Sequence, residues 1–150
     1  MEYASGDPAP HFNLRDVAGR PVMLYDFYGT AHVVLAFLPA GDAAAAAAIA
    51  GSLRDAASRW RGAGAEIIAV YPGTAEAARA FSEAAGVGYP LLVDDDGSVC
   101  REYGAVPGGA ASPPSLYLVD RQGDIRLVVK AAEPATLGGA IDAALRSLGD

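Results

Sequence analysis

His32-Val33-Val34-Leu35-Ala36-Phe37-Leu38-Pro39, followed after Ala40-Gly41 by Asp42 and the six alanines Ala43 to Ala48, is the stretch on which the fold turns. Its first half is a continuous apolar run with β-branched residues at the start, the pattern of a strand buried on both faces of a sheet. Its second half predicts a helix. Asp42 is placed to accept hydrogen bonds from the free N–H groups of the first turn, and alanine is the best intrinsic helix former. The helical pattern continues through Leu53 and Trp60 and ends near Gly62 and Gly64.

The rest of the chain repeats this alternation. Ala65 to Tyr71 and Ser115 to Asp120 read as further buried strands, and Asp124 to Lys130 adds a fourth after the turn Arg121-Gln122-Gly123. A second helix is expected from Thr74 to Gly86, with Glu76 and Glu83 outward and Ala77, Ala80, Phe81 and Ala84 inward. A third runs from Pro134 to Leu148, with Leu137, Ile141, Ala144, Leu145 and Leu148 on one stripe. Strand, helix, strand, helix, hairpin and helix favour an α/β sheet with a parallel part, an antiparallel hairpin and helices on both faces. At 150 residues the chain suits a single domain spanning 1–150, and the Gly- and Pro-rich Val106 to Pro114 reads as a loop rather than a boundary.

Charge narrows the partners. Eighteen acidic residues against eleven basic ones give a net charge of −7, and Lys130 is the only lysine. Such a surface repels phosphate backbones and anionic lipid, so neither nucleic acid nor membrane is an expected partner. Met1-Glu2-Tyr3-Ala4 lacks a basic n-region leading into an apolar stretch, and no run is long enough to cross a bilayer, which predicts a cytoplasmic protein. Cys100 is the only cysteine, so no intramolecular disulfide can form.

Three segments take the reading further. The first is Gly6-Asp7-Pro8-Ala9-Pro10-His11-Phe12-Asn13-Leu14 with Gly19-Arg20-Pro21-Val22-Met23-Leu24 and Phe27. The second is Phe81 to Gly86, Tyr89-Pro90-Leu91-Leu92-Val93-Asp94-Asp95-Asp96-Gly97 and Tyr103-Gly104-Ala105-Val106. The third is Pro114-Ser115-Leu116-Tyr117-Leu118-Val119-Asp120. Together they resemble peroxiredoxins of the alkyl hydroperoxide reductase and thiol-specific antioxidant group over nearly the whole chain. The resemblance implies a thioredoxin-like, peroxiredoxin-type three-layer sandwich: a central mixed sheet, helices on both faces and an N-terminal β-hairpin. It also implies a homodimer.

The same resemblance exposes what is missing. In that family a Phe-Tyr-Pro-like triplet is followed by a threonine and, three residues later, by the peroxidatic cysteine in the first turn of the next helix. Here the triplet is Phe37-Leu38-Pro39, which puts the threonine position on Ala43 and the cysteine position on Ala46. The family's active-site arginine falls on Pro114, and the resolving cysteine of some members falls on Gly51. A thioredoxin-like CxxC fares no better, since its two positions fall on Asp42 and Ala45. Attack on an O–O bond needs a thiolate, whose pKa the helix N-terminus and a nearby arginine lower, and a methyl group supplies none of this.

Two functions remain open from the sequence. One is a degenerate peroxiredoxin with a binding, assembly or regulatory role, in which Pro39, Asp42, Ala43, Ala46 and Pro114 line a vestigial pocket for a protein or small-molecule ligand. The alanine run is explained more simply as helix-stabilising filler. The other is an antioxidant peroxidase or oxidoreductase working through Cys100 with an external reductant, against which stands the reading of Cys100 as a small buried hydrophobe. No cofactor is expected. The acidic run Asp94-Asp95-Asp96 lacks EF-hand spacing and reads as a solvated turn. His11 and His32 have no partners at metal-ligand spacing, and Ser112 and Ser115 do not form a nucleophile elbow.

Overall fold

The computed structural model describes residues 6–39, 43–103, 115–130 and 137–148, with only the backbone of residues 43 and 137. In chain order the elements are β1 (Asn13–Asp16), β2 (Pro21–Met23), a 3-10 turn (Leu24–Phe27), β3 (His32–Phe37), α1 (Ala43–Gly62), β4 (Ala65–Tyr71), α2 (Ala75–Ala85), β5 (Leu91–Val93), α3 (Ser98–Glu102), β6 (Ser115–Val119), β7 (Ile125–Lys130) and α4 (Leu137–Leu148). The strands form one seven-stranded sheet in the order β2-β1-β5-β4-β3-β6-β7. β3, β4 and β5 are mutually parallel, while β1 against β5, β6 against β3 and β7 against β6 are antiparallel. This is the mixed α/β sheet that the alternating pattern foretells.

The apolar run at β3 is buried along its whole length because the strand lies at the middle of the sheet, covered on both sides. Val34 and Ala36 face a core built with Ile49, Leu53 and Trp60 of α1, Ala78 of α2, and Ile141 and Leu145 of α4. Val33, Leu35 and Phe37 face a second core made with Ala9 and Phe12, Leu24 of the 3-10 turn, and Val99, Cys100 and Tyr103. All three long helices therefore share one face. The other is closed by α3, the 3-10 turn and an N-terminal strap, each fully buried Leu or Phe there contributing about 1.5–3 kcal/mol.

The strap runs from β1 across the second face to the opposite side of the sheet. There the Gly6 amide donates to the Ile125 carbonyl and the Ile125 amide to the Asp7 carbonyl, both at 2.7 Å, and the Ala9 amide donates to the Gly123 carbonyl at 2.9 Å. The β1–β2 hairpin that precedes the core strands appears where the family resemblance implied it.

Helix α2 follows its signals at both ends: Thr74 Oγ1 accepts from the Ala77 amide, and Gly86 closes the helix with φ 65°. Its buried face differs from the expected one. Ala78 is buried and Phe81, Ser82 and Ala85 are half-buried, whereas Ala77, Ala80 and Ala84 are exposed. The helix is turned by one residue because the small Ala78 lets it approach the sheet closely while Arg79 Nε reaches the Val17 carbonyl.

In α4 the stripe Ile141, Ala144, Leu145 and Leu148 is as expected. Its expected start at Pro134, the side chain of Leu137, and Asp42, Ser112 and Pro114 lie outside what the structure describes.

Candidate functional site

By the family resemblance, position 46 is where the nucleophile would stand. Strand β3 ends at Phe37, Leu38 and Pro39 are buried, and α1 begins at residue 43, so Ala46 stands in the helix's first turn, 3% exposed. The helix is fixed over the sheet by several ties. Tyr89 Oη donates to the Ala50 carbonyl at 2.9 Å, Arg54 Nη1 donates to the Ala85 carbonyl at 2.7 Å, and Trp60 Nε1 and Arg59 Nε both donate to Asp142 Oδ1, at 2.8 and 3.0 Å. What that first turn carries at position 46 is a methyl group. It carries neither nucleophile nor proton, and of the positions tied to it by resemblance the structure reaches Pro39 and the backbone of Ala43, but not Asp42 or Pro114.

The sheet register sets what lies beside the C-terminal end of β3. Phe37 pairs with Ser115, and Ser115 with Lys130. Beneath this row an aromatic cluster fills the second face: Phe37 has ring centroids 5.0 Å from Tyr103 and 5.7 Å from Tyr117, and the two tyrosines lie 5.2 Å apart. Tyr117 Oη donates to the Tyr103 carbonyl, Lys130 Nζ donates to Tyr117 Oη at 2.9 Å, and the Tyr103 hydroxyl reaches the Pro10 carbonyl. Sequence reading missed this cluster. Its signal was present in the two-residue spacing that puts Leu35 and Phe37 on one face and pairs them with Tyr117 and Ser115.

Cys100 is elsewhere. It belongs to α3, 2% exposed, in the core of the second face, whereas Ala46 belongs to a helix covering the first. Burial pushes its thiol well above the ordinary range, and the bond to the Asp94 carboxylate and that group's charge push the same way, against a weaker pull from Arg101. Such a thiol stays protonated at neutral pH.

The acidic run is only partly the solvated turn expected. Asp95 and Asp96 are exposed, but Asp94 is buried, because its carboxylate caps α3: Oδ1 accepts from the Val99 amide at 3.3 Å and Oδ2 from the Cys100 amide at 2.8 Å. His11 is exposed and stacks on Tyr25 with centroids 3.9 Å apart, while His32 is buried at the start of β3. Among the described residues no group of three or more His, Cys, Asp or Glu side chains is placed to hold a metal ion. Among them, too, no helix is long and apolar enough to cross a membrane.

Comparison with known proteins bears on the family and the fold. The model of the AhpC/TSA family matches residues 5–128. The chain is 32% identical over 126 residues to a chloroplastic peroxiredoxin Q of Sedum lineare, covering 82% of this chain and 67% of that protein. It is 33% identical over 126 residues to a chloroplastic peroxiredoxin Q of Arabidopsis thaliana, covering 82% of this chain and 57% of that one. The chain thus spans between 57% and 67% of the length of these two plant proteins. In fold it is similar to the crystal structure of peroxidoxin BcpB from Mycobacterium tuberculosis, with a TM-score of 0.85, 24% identity and coverage of 97% and 98% of the two chains. PrxQ of Xylella fastidiosa also gives 0.85, at 15% identity, covering 99% and 96%. On the family match and the plant relatives, this chain belongs to the AhpC/TSA family, on a thioredoxin-like peroxiredoxin fold.

Proposed function

We propose that this chain is a degenerate peroxiredoxin: a domain that keeps the family fold without its peroxidase chemistry and serves in binding, assembly or regulation. The observation that carries the reading is Ala46, held in the first turn of α1 with a methyl group at the position that resemblance assigns to the nucleophile. The family resemblance assigns the ligand, a protein or a small molecule, to Pro39, Asp42, Ala43, Ala46 and Pro114, and a homodimer is the assembly that fits the family. A cytoplasmic setting belongs to the same proposal.

The competing enzyme would have to work through Cys100. Its thiol is buried, protonated and on the other face of the sheet, and a sulfenic acid formed there has no second cysteine in the chain to resolve it. The test is hydroperoxide consumption with a thiol reductant, comparing the wild type with Cys100→Ser. Background rates in both support the proposal, and turnover that the substitution abolishes rejects it in favour of the thiol enzyme.

A further inference from the structure

His32 opens β3 and is 4% exposed, yet neither Nδ1 nor Nε2 has a hydrogen-bond partner. A buried imidazole in that condition is neutral. Its cation would carry two N–H donors with nothing to receive them, and an unpaired buried charge costs far more than an unpaired neutral ring.

The charged groups around the ring do not relieve it. From the β6–β7 turn come Arg121, which disfavours the cation, and Asp120, which favours it. Asp120 is already committed: Oδ1 accepts from the Gln122 and Asp124 amides at 2.9 and 3.0 Å, and Oδ2 receives Arg126 Nε at 2.6 Å. On neighbouring β4, Glu66 is paired with Arg61 at 3.4 Å. Asp124 in the same turn acts on Tyr28.

The ring is also wedged where three segments meet. The guanidinium of Arg121 and the edge of His32 close over Gly64, 2.6 and 3.9 Å from where a Cβ would stand. The His32 amide donates to the Gly64 carbonyl at 2.9 Å, and the Gly29 amide donates to the Arg121 carbonyl at 2.9 Å. The ring of Tyr28 lies over Gly123, whose carbonyl holds the Ala9 amide of the strap. A displacement of Arg121 is therefore passed both to the loop before β3 and to the strap that covers the aromatic cluster.

We propose that His32 is an acid-sensitive latch: taking up a proton from solvent, the imidazole drives Arg121 away, loosening the β6–β7 turn from the loop before β3 and releasing the N-terminal strap. The device lets acidification uncover the second face while the three-helix face stays closed.

Two measurements test it. In a histidine NMR titration of the wild type, His32 keeps the neutral signature to lower pH than a solvated imidazole does. Amide hydrogen exchange, corrected for intrinsic chemistry, is then compared between about pH 7.5 and about pH 5 in the wild type, His32→Leu and His32→Gln. Extra opening at Ala9 and Gly29 is expected in the wild type at the lower pH, with Ile68 in β4 unchanged, and both variants should lose that pH-dependent excess. A His32 that titrates like a fully solvated imidazole overturns the proposal. So does the same acid response in either variant, or one that appears equally at Ile68. If neither variant folds, the wild-type exchange decides: no extra opening at Ala9 and Gly29 at the lower pH overturns the proposal.

Discussion

The amide of Cys100 donates to Oδ2 of Asp94 at 2.8 Å, and burial and the negative charge of that carboxylate both raise the thiol's pKa. The chain's one thiol is thus held against the group that caps its own helix. A reactive cysteine needs the opposite setting, with exposure and positive charge to stabilise the thiolate.

Native Cys100 should accordingly resist thiol-directed alkylating reagents and react only as fast as the surrounding core opens, becoming fully reactive in denaturant. Asp94→Ala removes the bonds from the Val99 and Cys100 amides and leaves these two without the carboxylate, an expected loss of about 1–3 kcal/mol in chemical unfolding, with faster labelling. Asp94→Asn, which keeps an acceptor oxygen, should cost less.

Restoring the missing sulfur should not restore the enzyme. Ala46→Cys puts a thiol in the first turn of α1, but Ala43 and Pro114 still stand at the threonine and arginine positions implied by the family resemblance. Peroxide turnover is expected to stay at background. The packed surroundings make the larger side chain cost about 1 kcal/mol, read as a lower unfolding midpoint.

Asp142 ties α4 to α1 through Trp60 and Arg59. Desolvation pushes its carboxyl up, but the bonds from Arg59 and Trp60 and the charges of Arg59 and Arg146 outweigh that and hold it below its ordinary value. A carboxyl lowered by folding stabilises the protein above its unfolded pKa, and that contribution disappears as pH falls through the folded value, here below about pH 4. Asp142→Ala should lose about 1–3 kcal/mol at neutral pH, chiefly from the orphaned indole N–H. In acid the gap between variant and wild type should narrow.

Gly123 has φ 88°, and a Cβ there would stand 2.6 Å from the Cζ of Tyr28. Gly123→Ala is therefore strained twice, by conformation and by the ring, with an expected cost of about 1–3 kcal/mol. The loss should appear first as faster exchange of the Ala9 amide.

Much of the architecture was legible because its signals are periodic and local. The run His32 to Pro39 read as a doubly covered strand, which the structure forms over His32–Phe37, and Thr74 and Gly86 marked the ends of α2. The face of α2 was harder to read because alanine lies on every side of that helix. Phe81 fits both the stripe with Ala77 and Ala84 and the true one with Ala78 and Ala85, and only the contact of Ala78 with the sheet separates them. The burial of Asp94 was hidden for a different reason: capping depends on which amides a turn brings within reach, and an acidic triplet looks the same whether solvated or folded inward. The strap and the aromatic cluster arise from long-range pairing, with Pro10, Tyr103 and Tyr117 brought together only by the sheet. The candidate site was legible mainly as an absence, since alanine at position 46 needs no structure to be recognised as chemically silent.

The most direct test of that silence is the rate at which the purified native protein reacts with hydrogen peroxide, followed by mass spectrometry with trapping of sulfenic acid. The expected result is oxidation at Cys100 no faster than that of free cysteine. A rate orders of magnitude above free cysteine would contradict the account, because it would require an activated thiolate that neither Ala46 nor the buried Cys100 provides.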